Sequence, residues 1–158
     1  MRRLSVGVFC MALSTALSAS ACGNEVDGIK CRPYIKTLFN LPVAEKLAQF
    51  ERYDLPTQYD AYICGVQVMH PPELELADAL AKRGAVAATF LNEKLSRTSS
   101  ELTTRDLLMV FLRMAKTKTY DVRADQDLLS QLRIKVGAMK GIWKATAQGM
   151  LAEIEKGD

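Results

Sequence analysis

The chain contains one histidine and one tryptophan among its 158 residues. A protein metal site needs three or four donor side chains, and no Cys, Asp or Glu cluster of ligand spacing surrounds His70. The nine glycines are scattered and follow no strand pattern, which argues against a glycine-rich phosphate loop. The Gly-x-Ser-x-Gly and Ser-x-x-Lys motifs of serine nucleophiles are also missing. We therefore expect no metal, no cofactor and no catalytic residue.

His70 is the one side chain whose ordinary titration range suits a general base near neutral pH. The sequence His70-Pro71-Pro72 is typical of a helix end, because the residue before a proline avoids the helical region. We interpret His70 as part of that helix end. An enzyme that uses His70 with a nearby acid, such as Asp60 or Glu73, is the alternative hypothesis.

There is little net charge, and its distribution is uneven. The formal charge is +3, since the chain contains 21 basic and 18 acidic residues. This balance does not indicate nucleic-acid binding, which needs a concentrated basic surface. Basic residues are in excess in the segment 104–144, and acidic residues are in excess in 42–103. A dipolar surface of this kind would steer an anionic partner or meet anionic lipid.

Only one long apolar stretch occurs, and it lies at the N-terminus. Arg2 and Arg3 precede an uncharged run that serine and threonine dilute. A charged start followed by such a run is typical of a secretory signal peptide rather than of a membrane-spanning helix. Ala19 and Ala21 form the small-x-small pattern that precedes a cleavage site. Residues 1–21 are therefore predicted to be removed on export.

Cleavage after Ala21 would leave Cys22 as the first residue. The sequence Ala19-Ser20-Ala21-Cys22 resembles the lipobox of bacterial lipoproteins, in which the cysteine is diacylated before cleavage. It departs from the usual lipobox at Ala19, where leucine is common. The polar residues 23–28 resemble the tether that follows in such proteins. The resemblance implies a lipid anchor on Cys22 at the periplasmic side of a membrane, and a soluble periplasmic or secreted protein is the alternative.

Cysteine counting agrees with this interpretation. Loss of the signal removes Cys10 and leaves Cys22, Cys31 and Cys64, an odd number for an oxidising compartment. Lipidation of Cys22 frees Cys31 and Cys64 to form a disulfide. Free thiols at both positions are the alternative, and a bond between Cys22 and Cys31 is possible if no lipid is added.

Apolar residues follow helical spacing nearly everywhere in the mature chain. We predict a tether and lead-in over 22–40, followed by one helical domain over 41–158. The pattern from Leu128 to Ile154 repeats about every 3.7 residues and predicts one long C-terminal helix over 125–156. A break near Gly137 to Gly141 is the alternative, since glycine disfavours a helix interior.

The predicted fold is all-α, with short antiparallel helical hairpins packed against the long C-terminal helix. For function, we expect an exported, membrane-anchored, non-catalytic envelope protein that binds another macromolecule, with a protein as its partner. A periplasmic immunity or inhibitor protein that acts against a toxin or hydrolase is a particular form of this hypothesis.

The lipid anchor is tested by Cys22→Ser. Because the thioether to the lipid forms on the cysteine sulfur, this variant should lose palmitate labelling and leave the membrane fraction. Labelling of growing cells followed by fractionation measures both effects. The control is Cys10→Ser, which lies within the signal and should retain labelling. Unchanged fractionation of Cys22→Ser would contradict the lipoprotein interpretation.

Overall fold

The computed structural model describes residues 25–157, and within this range the protein is all-α apart from one small hairpin, as predicted. In chain order the elements are β1 (Glu25–Val26), β2 (Ile29–Lys30), α1 (Arg32–Thr37), α2 (Val43–Arg52), α3 (Leu55–Val68), α4 (Glu75–Ala81), α5 (Ala85–Arg97), α6 (Glu101–Thr117), α7 (Gln126–Ala138) and α8 (Lys144–Lys156). The two strands pair antiparallel, with Glu25 opposite Lys30. The signal peptide predicted over 1–21 and the lipidation site Cys22 lie outside the described residues.

The N-terminal hairpin is fixed to the helical domain through Cys31 and Cys64. Cys31 directly follows β2 and Cys64 lies in α3, and their sulfur atoms are at disulfide distance, 1.99 Å apart. The predicted pairing is therefore the one that the structure contains. Cys31 and Cys64 are 33 residues apart in the sequence. In the loop-entropy model, closing a loop of this length stabilises the fold by roughly 3 to 4 kcal/mol. Both cysteines are fully buried, so the link also closes the core at this end.

The connection between α3 and α4 is held by a buried ion pair. The Lys46 ammonium of α2 donates to the Glu73 carboxylate, and Lys46 is almost completely buried. The Glu73 backbone N–H donates to the Gly65 carbonyl at 3.2 Å. A Cβ on Gly65 would lie 3.0 Å from the Glu73 Cβ, closer than Cβ contacts usually are, so glycine at 65 favours this close approach of the connection to α3. Residues 70–74 are thereby fixed against α3.

Helix α6 is the centre of the domain and packs against α3, α4, α5, α7 and α8. Its N-cap is Ser100, whose hydroxyl accepts a hydrogen bond from the Thr103 N–H. Thr103 and Asp106 have the spacing of an aspartate-bearing capping box, but Thr103 lies inside α6 and is not its N-cap. Asp106 lies inside the helix on the face that carries Leu102, Thr103 and Val110, and it is only 3% exposed.

The single long C-terminal helix predicted over 125–156 is also wrong. Two helices occupy this part of the chain, α7 and α8, and the connection 139–143 separates them. The apolar spacing continues across the break because both helices bury that side: Leu128, Leu132 and Val136 of α7, and Ala147, Met150 and Ile154 of α8 are all buried. The alternative of a break near Gly137 to Gly141 is the correct one.

A carboxylate from α6 holds the α7–α8 connection. The Glu101 oxygens accept hydrogen bonds from the backbone N–H groups of Lys140, at 2.6 Å, and Gly141, at 2.8 Å. These N–H groups lie outside both helices and have lost their helical partners, so the carboxylate satisfies them. A Cβ on Gly141 would lie only 2.5 Å from Glu101 Oε2. An alanine at 141 would therefore push the carboxylate away from its two donors.

The uneven charge along the sequence is partly compensated in three dimensions. Three cations of the basic segment 104–144 form ion pairs with acids outside it: Arg113 with Asp78, Lys116 with Glu153 and Arg133 with Glu155. Lys135 donates to the carbonyls of Ser96 and Thr98 at the end of α5. The remaining cations of this segment include Lys140 and Lys144, which form no ion pair with any acid in residues 25–157.

Among the helices described, none combines the length and the apolar composition that crossing a bilayer requires.

The Glu101 contact can be measured with a double-mutant cycle. Glu101→Ala and Gly141→Ala should each lower the free energy of unfolding by about 1 to 2 kcal/mol, because both break the same pair of charge-assisted hydrogen bonds. The two losses should be far from additive, since the second substitution finds the contact already broken. Urea unfolding of the two single variants and the double variant measures this.

Gly149→Ala is the matched control, because no atom lies within 4 Å of the added Cβ in α8. It should stabilise the protein by about 0.5 to 1 kcal/mol through helix propensity alone. Fully additive losses at Glu101 and Gly141 would contradict the proposed contact.

Candidate functional site

A groove of about 340 Å³ lies between the α3–α4 connection, α6 and the start of α8. This volume is in the range that small ligands or inserted side chains occupy. Thirteen residues line it, most of them apolar: Tyr62, Val66, Gln67, His70, Pro72, Leu74, Leu102, Arg105, Asp106, Met109, Trp143, Thr146 and Met150.

Each wall of the groove follows from local structure. On α6, Leu102, Arg105 and Met109 are spaced three and four residues apart, which places them on one face of a helix. Trp143 occupies the N-cap position of α8 and reaches the groove because the chain breaks just before it. The opposite wall is the connection 70–74, which the ion pair to Lys46 fixes.

A buried polar cluster lies in this mostly apolar surface, centred on the Asp106 carboxylate. Its Oδ1 atom accepts hydrogen bonds from Arg105, one of them from Nε at 2.8 Å, and its Oδ2 atom accepts from Gln67 Nε2 at 2.7 Å. The Tyr62 hydroxyl donates to the Asp106 carbonyl at 2.7 Å. Every polar contact needed by a buried acid is thus made inside the protein.

Burial still determines the titration of this cluster. The loss of hydration raises the pKa of Asp106 above its ordinary value, although the Arg105 charge and the hydrogen bonds from Arg105 and Gln67 oppose the shift. Burial raises the pKa of Tyr62 as well. Tyr62 therefore remains a neutral hydrogen-bond donor at physiological pH.

Arg105 is held from two sides. Asp106 binds one edge of the guanidinium, and the Trp143 ring lies 4.1 Å from its central carbon. A stacked guanidinium of this kind gains cation–π attraction and keeps its donors in one plane. The arrangement joins α6 to the connection before α8.

The histidine singled out from the sequence does line the groove, but the acids considered with it do not. His70 is exposed at the end of α3 and makes no hydrogen bond to any of residues 25–157. The Glu73 carboxylate is bound to Lys46, and Asp60 lies in a separate depression beside Tyr59 and Lys94. The acid that shares the groove with His70 is Asp106, and both of its oxygens are engaged.

No group of three or more His, Cys, Asp or Glu side chains suited to a metal ion occurs in the part of the chain that the structure describes.

Sequence reasoning missed Gln67, Arg105, Asp106 and Trp143 as a group. The apolar spacing places Trp143 on the buried side of the predicted long helix, and the spacing of Asp106 from Thr103 is also that of a helix cap. One signal was present: Asp106 lies at helical spacing from Thr103 and Val110, where an apolar residue is expected. A charged residue on a buried stripe needs a partner, and its partner comes from the same helix.

Comparison of the chain with protein-family models, with curated proteins and with solved structures gives no match.

The raised pKa of Asp106 makes a prediction about stability and pH. Above the ordinary aspartate pKa of 3.8, the unfolded chain releases this proton before the folded protein does. The contribution of Asp106 to the free energy of unfolding therefore decreases as the pH rises from about 4 through its folded-state pKa. Asp106→Asn removes this contribution, so its stability should improve relative to wild type over the same rise in pH, as measured by urea unfolding.

Asp78→Asn is the control, since the Asp78 carboxylate is about half exposed and ion-paired with Arg113. The stability of Asp78→Asn should not improve relative to wild type as the pH rises over the same range. A difference between Asp106→Asn and wild type that is constant with pH would contradict the prediction.

Proposed function

We propose that this chain is a non-catalytic binding protein of the bacterial cell envelope, anchored by lipid on Cys22, which binds an apolar segment of a partner protein in the groove. The observation that carries the proposal is the pair of exposed aliphatic side chains beside the groove. Leu74 on one wall is 47% exposed, and Ile142, next to Trp143 of the other wall, is 85% exposed. Large exposed apolar residues around a concave, mostly apolar surface are typical of a protein interaction site.

Binding explains the groove better than catalysis does. General base catalysis needs a base within about 2.6 to 3.2 Å of the proton that it removes. The groove acid, Asp106, has both oxygens committed to Arg105 and Gln67 and is buried beneath them. His70 has no orienting partner among the described residues. The groups that are fixed in the groove are those that hold its shape.

The location in the envelope is supported by the cysteines. Disulfides persist in oxidising compartments such as the periplasm, and Cys31 and Cys64 lie at disulfide distance. In a more specific form of the proposal, the protein is an immunity or inhibitor protein and its partner is a toxin or hydrolase of the same compartment. A toxin gene beside the gene for this chain would favour that form.

The proposal is tested by site-specific photocrosslinking in intact cells. Benzoylphenylalanine placed at Ile142 or at Leu74 should give the same adduct of defined mass, identified by mass spectrometry. Placed at Ile134 of α7, which is 68% exposed but does not line the groove, it should not give that adduct.

A charge on the apolar wall should reduce the adduct. Leu74→Asp should lower the yield from Ile142 by about tenfold, since loss of one buried aliphatic anchor costs more than about 1 kcal/mol in a typical interface. The same adduct from Ile134, or no specific adduct from Leu74 and Ile142, would contradict the proposal.

A further inference from the structure

The guanidinium of Arg105 has one edge engaged and one edge open. Its Nε and Nη2 atoms donate to Asp106, and Trp143 covers one of its faces. Its Nη1 atom donates to no residue in the range 25–157. That atom is also not among the buried polar atoms left without a partner, although the side chain is only 19% exposed. Nη1 is therefore an accessible donor on a side chain that lines the groove.

A guanidinium held in this way is prepared to bind a carboxylate. Arginine presents its donors in a rigid plane that matches the two oxygens of a carboxylate, and its stacking and ion pair have already removed most of its rotational freedom. An incoming anion would complete the coordination of the arginine without displacing Asp106. A neutral acceptor would bind Arg105 more weakly than a carboxylate, because only the donor of that hydrogen bond would be charged.

The acids beside the groove are engaged by donors, Glu73 and Glu75 by Lys46, so they leave Nη1 of Arg105 open to an anion. Asp106 is neutralised by Arg105, and the Glu101 carboxylate is committed to two backbone N–H groups. Lys140 lies in the connection that carries Trp143, and Lys144 is the first residue of α8. Neither has an acidic partner in the described residues. Complementary charge of this kind selects the partner and speeds its encounter with the site.

The other requirement is apolar. Val66, Pro72, Leu74, Leu102, Met109 and Met150 line the rest of the groove. In the C-terminal residue of a polypeptide, a carboxylate and a side chain share one Cα, so a single apolar residue can satisfy both Arg105 and these walls. An acidic side chain within a chain would instead bring further backbone polar groups against apolar atoms, where they would lose hydration.

We propose that the groove binds the C-terminal carboxylate of a partner polypeptide that ends in apolar residues, with Arg105 as the carboxylate-binding residue. Capture of a chain end by a fixed set of donors is a recurring mode of peptide recognition. The proposal rests on the proposed function in that it uses the same groove, and it names the part of the partner that enters.

The probes are two pools of pentapeptides that carry an N-terminal fluorophore and vary over the apolar residues at their last two positions. One pool ends in free acids and the other in amides. Fluorescence anisotropy measures binding, and the emission of Trp143, the only tryptophan in the chain, reports on occupancy of the groove. The free-acid pool should bind at least tenfold more tightly than the amide pool.

Arg105→Gln should weaken binding of the acid pool at least tenfold and abolish the difference between acid and amide. Arg105→Lys keeps the charge but not the planar donors, and should weaken binding at least threefold. The matched control is Arg113→Gln, on the same helix but outside the groove, which should bind like wild type. If Arg105→Gln fails to fold, the acid and amide pools still decide the question on the wild-type protein.

The possible failures are distinguishable. Equal binding of acids and amides that changes the Trp143 emission would overturn the carboxylate proposal but leave the groove as a protein-binding site. Binding of neither pool would overturn the carboxylate proposal, and crosslinking at Ile142 would still judge the proposed function by itself. Binding of a fatty acid such as decanoate, with no binding of the peptides, would overturn the polypeptide end as the occupant.

Discussion

The buried carboxylate of Asp106 is the constraint on which the groove depends. A charged acid at this depth is unfavourable unless donors surround it, and the donors come from α6 itself and from α3. Gln67 is thereby fixed against α6, and Arg105 is turned across its own helix toward Trp143. The polar cluster therefore gives the groove its shape as well as its one open cationic edge.

Two further charged contacts complete the walls. Lys46 and Glu73 hold the α3–α4 connection, and Glu101 holds the α7–α8 connection. In each case an irregular stretch of chain is fixed by charge-assisted hydrogen bonds rather than by helix packing, and a glycine allows the close approach. The groove is therefore made from the side of α6, part of α3 and two irregular connections.

Local physics accounts for what could be predicted from the sequence. Apolar spacing predicted a helical domain, and the proline pair after His70 marked the end of α3 to within two residues. The pairing of Cys31 with Cys64 followed from counting cysteines, once Cys22 was assigned to the lipid. The long C-terminal helix failed because periodicity reports which side of the chain is buried and does not report whether the backbone continues. The backbone is interrupted at 139–143, where the Glu101 carboxylate binds the N–H groups of Lys140 and Gly141.

The sequence by itself determined the helical class, because this class depends on spacing along the chain and on composition. It predicted the pairing of Cys31 with Cys64 as one of several alternatives, and the tertiary structure places these two sulfur atoms at disulfide distance. Only the tertiary structure decided the groove. Gln67, Arg105 and Trp143 lie in three different parts of the sequence, and they meet because Asp106 must be satisfied and because the chain breaks before α8. Cations that form an excess along the sequence are likewise paired across the fold, since an ion pair depends on distance in space and not on separation in the chain.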